Sequence, residues 1–189
     1  MKWSIIVRVA FIVLLALYPI FVYFGLRTLP PGFLGLVLAV LLLMRFGIIR
    51  PTERAMALPV IAILFVFAVA SALTGSTQML LYYPVLVNSI LFVIFAGSLG
   101  TEESLLLRFV RARGRPINAH TPKYLTRLTA VWAAFFVING MIAAWTTTVS
   151  VEIWTIYNGM ISYILVAILG SCEWVFRRHY KKRLGISSS

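Results

Sequence analysis

The chain contains no aspartate, and its five acidic side chains are all glutamates, set against seventeen lysines and arginines for a formal charge of +12 over 189 residues. Without aspartate there is no Asp-rich magnesium site of the prenyl-transfer kind, no His-x4-Asp acyltransferase box and no aspartyl pair for intramembrane proteolysis. Histidine occurs only at His120 and His179, too sparsely for the multi-histidine boxes of di-iron desaturases. The single cysteine, Cys172, excludes an internal disulfide framework and any CxxC metal or redox site. Inside an apolar run it reads as a small packing residue. No P-loop or glycine-rich nucleotide fingerprint is present. No nucleophile, base and orienting group fall together, so the residues point away from an enzyme, with Glu173 and His179 the nearest approach to catalytic candidates. Neither a cofactor nor a metal is expected.

What the chain has in abundance is apolar surface: 61% hydrophobic residues, 14% aromatic, and a mean hydropathy of +0.98. A water-soluble domain this apolar has no polar coat, which indicates a polytopic membrane protein. Apolar runs of about 18 residues or more are long enough to cross a hydrocarbon core of about 30 Å. Such runs extend from Val9 to Leu26, Leu29 to Ile49, Ala55 to Leu73, Met79 to Leu99, Leu128 to Thr148 and Ile153 to Val175, provided that Arg45 reaches its head back to the interface. None alternates apolar with polar residues, so helices are expected rather than barrel strands. The expected fold is all-α, a polytopic bundle of about six transmembrane helices over residues 1–175 with a basic tail at 176–189. The first run exceeds the usual h-region of a signal peptide and lacks a small-x-small cleavage site before Arg27, so it is expected to be retained.

Sixteen of the seventeen basic residues fall in alternate gaps between these runs. They are Lys2 and Arg8; Arg45, Arg50 and Arg54; Arg108, Arg111, Arg113, Arg115, Lys123 and Arg127; and Arg177, Arg178, Lys181, Lys182 and Arg183. Only Arg27 lies on the other side. The positive-inside rule then places both termini in the cytoplasm. Trp145 and Trp154 flank the last outer turn, where aromatic rings favour the interface. So much basic charge on one side suits anionic lipid headgroups or a cytoplasmic partner, with Arg108, Arg111, Arg113, Arg115 and Arg127 as contact candidates, and no nucleic acid is expected.

The longest polar gap, Gly100 to Arg127, carries its own helical signal. Thr101 is placed to cap a helix over about 101–112, with Glu102 and Glu103 in its first turn. Leu105, Leu106, Phe109 and Val110 then form an apolar face opposite Arg108 and Arg111. This predicts a short amphipathic helix on the inner leaflet, ending near Gly114 and Pro116.

Polar residues inside the spans are few. Asn88 and Asn139 lie near the middles of the fourth and fifth runs, so an amide-to-amide hydrogen bond between helices is expected. They are also the candidate contacts for a lipid or polyene headgroup, together with Tyr157, Asn158 and Tyr163. Tyr82, Tyr83, Trp145 and Trp154 complete an aromatic and polar cluster towards the outer leaflet. Glu173, at the inner end of the sixth run, can pair with Arg177 one turn away or with Arg127 at the same depth. The fifth run is rich in small residues, Ala130, Ala133, Ala134, Gly140 and Ala144, which marks it for the bundle centre or a dimer seam.

From the fourth run onward the chain carries Tyr83-Pro84 with Asn88, Thr126-Arg127 with Thr129, Trp132, Phe135-Phe136, Asn139-Gly140, then Trp154, Tyr157-Asn158-Gly159, Tyr163 and Glu173. In these residues it resembles an uncharacterised family of small bacterial inner-membrane proteins encoded in aryl-polyene and xanthomonadin-type pigment clusters. More distantly, the spacing of the runs and the stretch Leu128 to Gly140, with its Trp and paired Phe, are similar to the intracellular septation protein A (YciB) family. The first resemblance implies a role beside polyene-lipid synthesis, the second a role in envelope integrity with division or wall-elongation proteins as partners. Pigment-cluster members are sometimes labelled ketosynthase, but a condensing enzyme needs a cysteine nucleophile with paired histidines in a soluble fold, which this sequence lacks. The expected function is therefore a non-enzymatic inner-membrane scaffold or accessory factor whose partners are membrane lipids and envelope or pigment-biosynthesis proteins. The alternative is a translocator, or a subunit of one, for a lipid or polyene-lipid.

Overall fold

The structure is a computed structural model that describes residues 17–48, 51–114, 117, 118 and 120–183. Those residues form helices α1 (Tyr18–Gly25), α2 (Pro31–Ile48), α3 (Pro51–Thr74), α4 (Thr77–Leu99), α5 (Leu105–Ala112), α6 (Thr121–Thr146), α7 (Val151–Ile156) and α8 (Ser162–Arg183), with a π-helical turn (Tyr157–Ile161) joining α7 to α8. No strand occurs among the described residues. Four helical stretches are long and apolar enough to cross a membrane: Ala57–Thr74, Thr77–Leu99, Thr121–Thr146 and Val151–Arg178. Pro31–Gly47 is apolar but shorter. Of the first expected run only Tyr18–Gly25 is described as helix; its beginning lies outside the described residues.

The boundaries follow local chemistry. Pro19, Pro31, Pro51 and Pro122 stand in the first turns of α1, α2, α3 and α6, where a missing N–H costs nothing and the fixed φ suits a helix. Pro122 is why α6 begins at Thr121, ahead of the apolar run at Leu128, so that Lys123 and Arg127 ride on its first turns. Ser76 and Ser150 cap α4 and α7 by accepting from the backbone N–H of Met79 at 3.3 Å and Ile153 at 3.2 Å. Gly75 closes α3 in the left-handed region, with φ of 60°. At the other end, α8 runs past Val175 to Arg183, across the boundary drawn at 176 for the tail. Lysine and arginine are good helix formers and suit the negative end of the helix dipole, and no breaker intervenes before Gly185.

Large apolar side chains cover the outside, as with Val66 (66% exposed), Phe24 (62%) and Leu73 (83%). Exposed apolar patches on this scale suit hydrocarbon rather than water. Inside, the helices meet where side chains are small. A Cβ on Gly35 of α2 would stand 2.6 Å from the backbone nitrogen of Ala72 on α3. A Cβ on Gly140 of α6 would stand 3.1 Å from Cβ of Asn88 on α4. Helices α4 and α6 lie antiparallel, with Phe95 packed edge-on against Phe136 at 5.1 Å. The buried stripe of α6 is Leu125, Thr129, Ala133, Phe136, Gly140 and Ala143. Ala133 and Gly140 were expected there, whereas Ala130 and Ala134 face outward. The helical period puts them on the opposite side from the stripe.

The amphipathic helix is present but starts at Leu105, not Thr101. Its N-terminal side is held by other bonds: Ser98 on α4 accepts from the Leu105 N–H at 2.9 Å, and the Thr101 hydroxyl donates to the Ser98 carbonyl at 2.8 Å. Thr101 is thereby spent anchoring the loop to α4, and Glu102 and Glu103 precede the helix instead of opening it. Leu107, outside the apolar face read from the sequence, is the buried residue that seats α5 on the bundle.

Candidate functional site

Pro84 sits inside α4 and has no N–H to offer the Leu80 carbonyl one turn earlier. Two aromatic donors fill the disrupted stretch. Tyr18 Oη of α1 donates to the Leu80 carbonyl at 3.0 Å, and Trp154 Nε1 of α7 donates to the Leu81 carbonyl at 2.8 Å. An unpaired backbone carbonyl in an apolar interior is costly, so these bonds tie α1 and α7 to α4 at one defined level. Trp154 is accordingly fully buried, which corrects its expected place in an interfacial belt; Trp145, 62% exposed, fits that place.

One turn further along α4, Asn88 donates to the Pro84 carbonyl at 2.8 Å and accepts from Asn139 Nδ2 of α6 at 2.9 Å. The second N–H of Asn139 reaches Ser162 Oγ at 3.0 Å, and its Oδ1 accepts from Tyr157 Oη at 2.8 Å. Both N–H groups and the carbonyl oxygen of the Asn139 amide are thus engaged, across three of the long apolar segments. The π-helical turn makes this possible. Its wider backbone loop lets the consecutive residues Tyr157 and Asn158 both point inward. Asn158 turns to the Thr146 hydroxyl at 3.3 Å and the Trp154 carbonyl at 2.9 Å. The structure therefore joins Asn88, Asn139 and Tyr157, sets Asn158 one step aside, and leaves Tyr163 exposed outside the network.

A second feature lies between α6 and α8, whose backbones stand apart for much of their length. Two adjoining cavities run along this seam. The one of about 310 Å³ is bordered by Asn139 and Tyr157 and walled by Phe135, Ile138, Leu165 and Ile168. The one of about 460 Å³ is walled by Leu128, Val131 and Phe176 and carries Lys123, Arg127 and Glu173 at its rim. Leu169 and Cys172 line both, so the two form a single groove. Glu173 is bonded by Arg177 Nε at 3.5 Å and by Tyr124 Oη at 3.1 Å, and it forms no ion pair with Arg127.

The arginines of α5 divide. Arg108 donates to Thr101 Oγ1 at 2.6 Å and to the Glu103 carbonyl at 3.0 Å, and Arg111 pairs with the Glu103 carboxylate. Both brace the preceding loop. Arg113 is exposed, and Arg115 lies outside the described residues.

Tyr18, Ser162, Ser98, Leu107 and Tyr124 were not singled out from the sequence. The one available signal was Pro84, which announces a carbonyl in need of a donor without saying which side chain supplies it. No family model matches the chain, and neither a curated protein nor a solved structure matches it.

Proposed function

We propose that the chain is a non-enzymatic integral protein of the bacterial inner membrane, crossing it about six times with both termini in the cytoplasm. It serves envelope or polyene-lipid biogenesis as a scaffold or accessory factor, presenting a basic cytoplasmic face to its partners. The single supporting observation is the segregation of charge: sixteen of the seventeen basic residues occupy one end of the alternating runs. The helix α5 lends weight to it, because its seat on Leu107 and Ser98 holds a cationic segment rigidly against that end.

The test uses a deletion strain whose envelope or polyene phenotype the unaltered chain restores. Arg113→Glu with Arg115→Glu leaves the loop-bracing bonds of Arg108 and Arg111 in place. The variant should insert at normal level and fail to complement; full complementation overturns the proposal.

A second reading, translocation of a lipid or polyene-lipid, draws on the groove between α6 and α8, which runs from the basic end to Asn139 at mid-depth. Under it, Asn88→Leu with Asn139→Leu stops export while the protein level holds. Full export by that variant counts against it.

A further inference from the structure

We infer that the groove between α6 and α8 is a binding site for one acyl chain of an anionic phospholipid, with the phosphate held by Lys123 and Arg127 at its rim. Three observations lead there. The first is shape. None of the described residues of α8 from Ser162 to Arg178 is fully buried, and of those it turns to the groove, Leu165, Ile168, Leu169, Cys172, Glu173 and Phe176, only Leu169 and Glu173 are even partly covered. A hydrocarbon-sized gap lined by aliphatic side chains forfeits dispersion contacts unless something apolar fills it.

The second is length. From Arg127 to Asn139 helix α6 rises about 18 Å, close to half of a hydrocarbon core of about 30 Å. The groove thus matches about the depth of one leaflet, and Asn139, Ile142 and Tyr157 line its far end. The polar atoms of Asn139 and Tyr157 are bonded to each other and to Asn88 and Ser162, so they present the chain terminus with no unmet donor.

The third is charge. Glu173 is engaged by Arg177 and Tyr124, and among the described residues Lys123 and Arg127 pair with no carboxylate. Two cations therefore flank the apolar slot at the level where it opens, the arrangement that a phosphate above an acyl chain completes. A zwitterionic lipid brings its own ammonium group and gains less from them.

This inference rests on α6 and α8 spanning the membrane as proposed above, and not on partner recruitment. The experiment reconstitutes the full chain in phosphatidylcholine vesicles containing a small fraction of phosphatidylglycerol with a diazirine at mid-chain, or of phosphatidylcholine bearing the same group. Flotation of the vesicles reports insertion separately. After irradiation, phosphatidylglycerol adducts should map to residues 131–142 and 165–172, in about ten-fold excess over phosphatidylcholine adducts. Lys123→Glu with Arg127→Glu, both exposed positions, should erase that excess. Leu169→Trp should block the adducts with the charges untouched, and Arg113→Glu with Arg115→Glu should leave them unchanged. Equal yields from the two lipids, or an excess that survives the Lys123 and Arg127 changes, overturn the inference. So does efficient dimer formation through oxidised Cys172, which assigns the groove to a second copy of the chain.

Discussion

Helix α6 presents two faces to two long neighbours and closes on only one of them. Towards α4 it offers Thr129, Ala133, Gly140 and Ala143, and the backbones approach until Asn88 and Asn139 bond directly. Towards α8 it offers Leu128, Val131, Phe135 and Ile138, against Leu165, Leu169 and Phe176, and the helices stand off around a groove. Both faces are apolar, so hydrophobicity does not separate them. In lipid there is little to gain from merely hiding apolar surface, and close packing depends on small residues and satisfied polar pairs. The α4 seam has both. The α8 seam has a polar tie at Asn139 with Ser162 and Tyr157, a second at Tyr124 with Glu173, and bulk in between.

The change that should break this contrast most is Asn139→Leu. It strips partners from Asn88, Tyr157 and Ser162 at once, and the cost should be about 2–3 kcal/mol, given a typical value below 1 kcal/mol for one interhelical bond in a membrane. Unfolding measured by steric trapping in bicelles checks it; a loss equal to that of Asn88→Leu shows that the three bonds are not additive. Gly140→Ala comes next. Its Cβ presses on Asn88, and an overpacking cost of about 1–2 kcal/mol should appear together with slower disulfide cross-linking between cysteines introduced on α4 and α6. Unaltered cross-linking shows that α4 yields without cost.

A smaller effect sharpens the comparison by isolating a single bond. Tyr18→Phe should cost about 1 kcal/mol in the native chain and close to nothing once Pro84→Ala restores an N–H for the Leu80 carbonyl. Equal costs in both backgrounds mean that the Tyr18 hydroxyl does not stand in for the missing bond. The least is expected at the open seam. Glu173→Gln removes a part-exposed charge whose partner Arg177 is itself accessible, and stability should fall by no more than about 0.5 kcal/mol. A loss as large as that of Asn139→Leu means that the open seam is held from its charged end.

Legibility in the sequence varied with the reach of the interaction. The matched depths of Asn88 and Asn139 were readable because both sit near the centres of apolar runs, and residue rise along a helix is constant. The pairing of Glu173 with Arg177 was readable because they are one turn apart on one helix. The helix over 105–112 was visible in type and misplaced at its start. Thr101, Glu102 and Glu103 make a good helix N-terminus taken alone, but Ser98 on a different helix already supplies the cap. Trp154 was misplaced for a related reason. Its position beside the turn read as outer suits an interfacial ring, whereas the Leu81 carbonyl on another helix, next to the one that Pro84 leaves open, draws its indole inside.

By itself the sequence determined that this is an all-helical chain with the apolar runs of a membrane protein, where its polar residues sit along those runs, and that its positive charge gathers in alternate gaps between them. Those properties follow from composition and from periodicity along the chain, which need no partner. Only the tertiary structure decided which face of α6 closes and which stays open, that a π-helical turn delivers Tyr157 and Asn158 to the same interior, and that Tyr18 supplies the donor Pro84 lacks while Trp154 bonds the next carbonyl of α4. Each of these depends on which groups from distant segments meet at one depth, and in an apolar medium a polar group left without a partner is costly enough to make that meeting decide the fold.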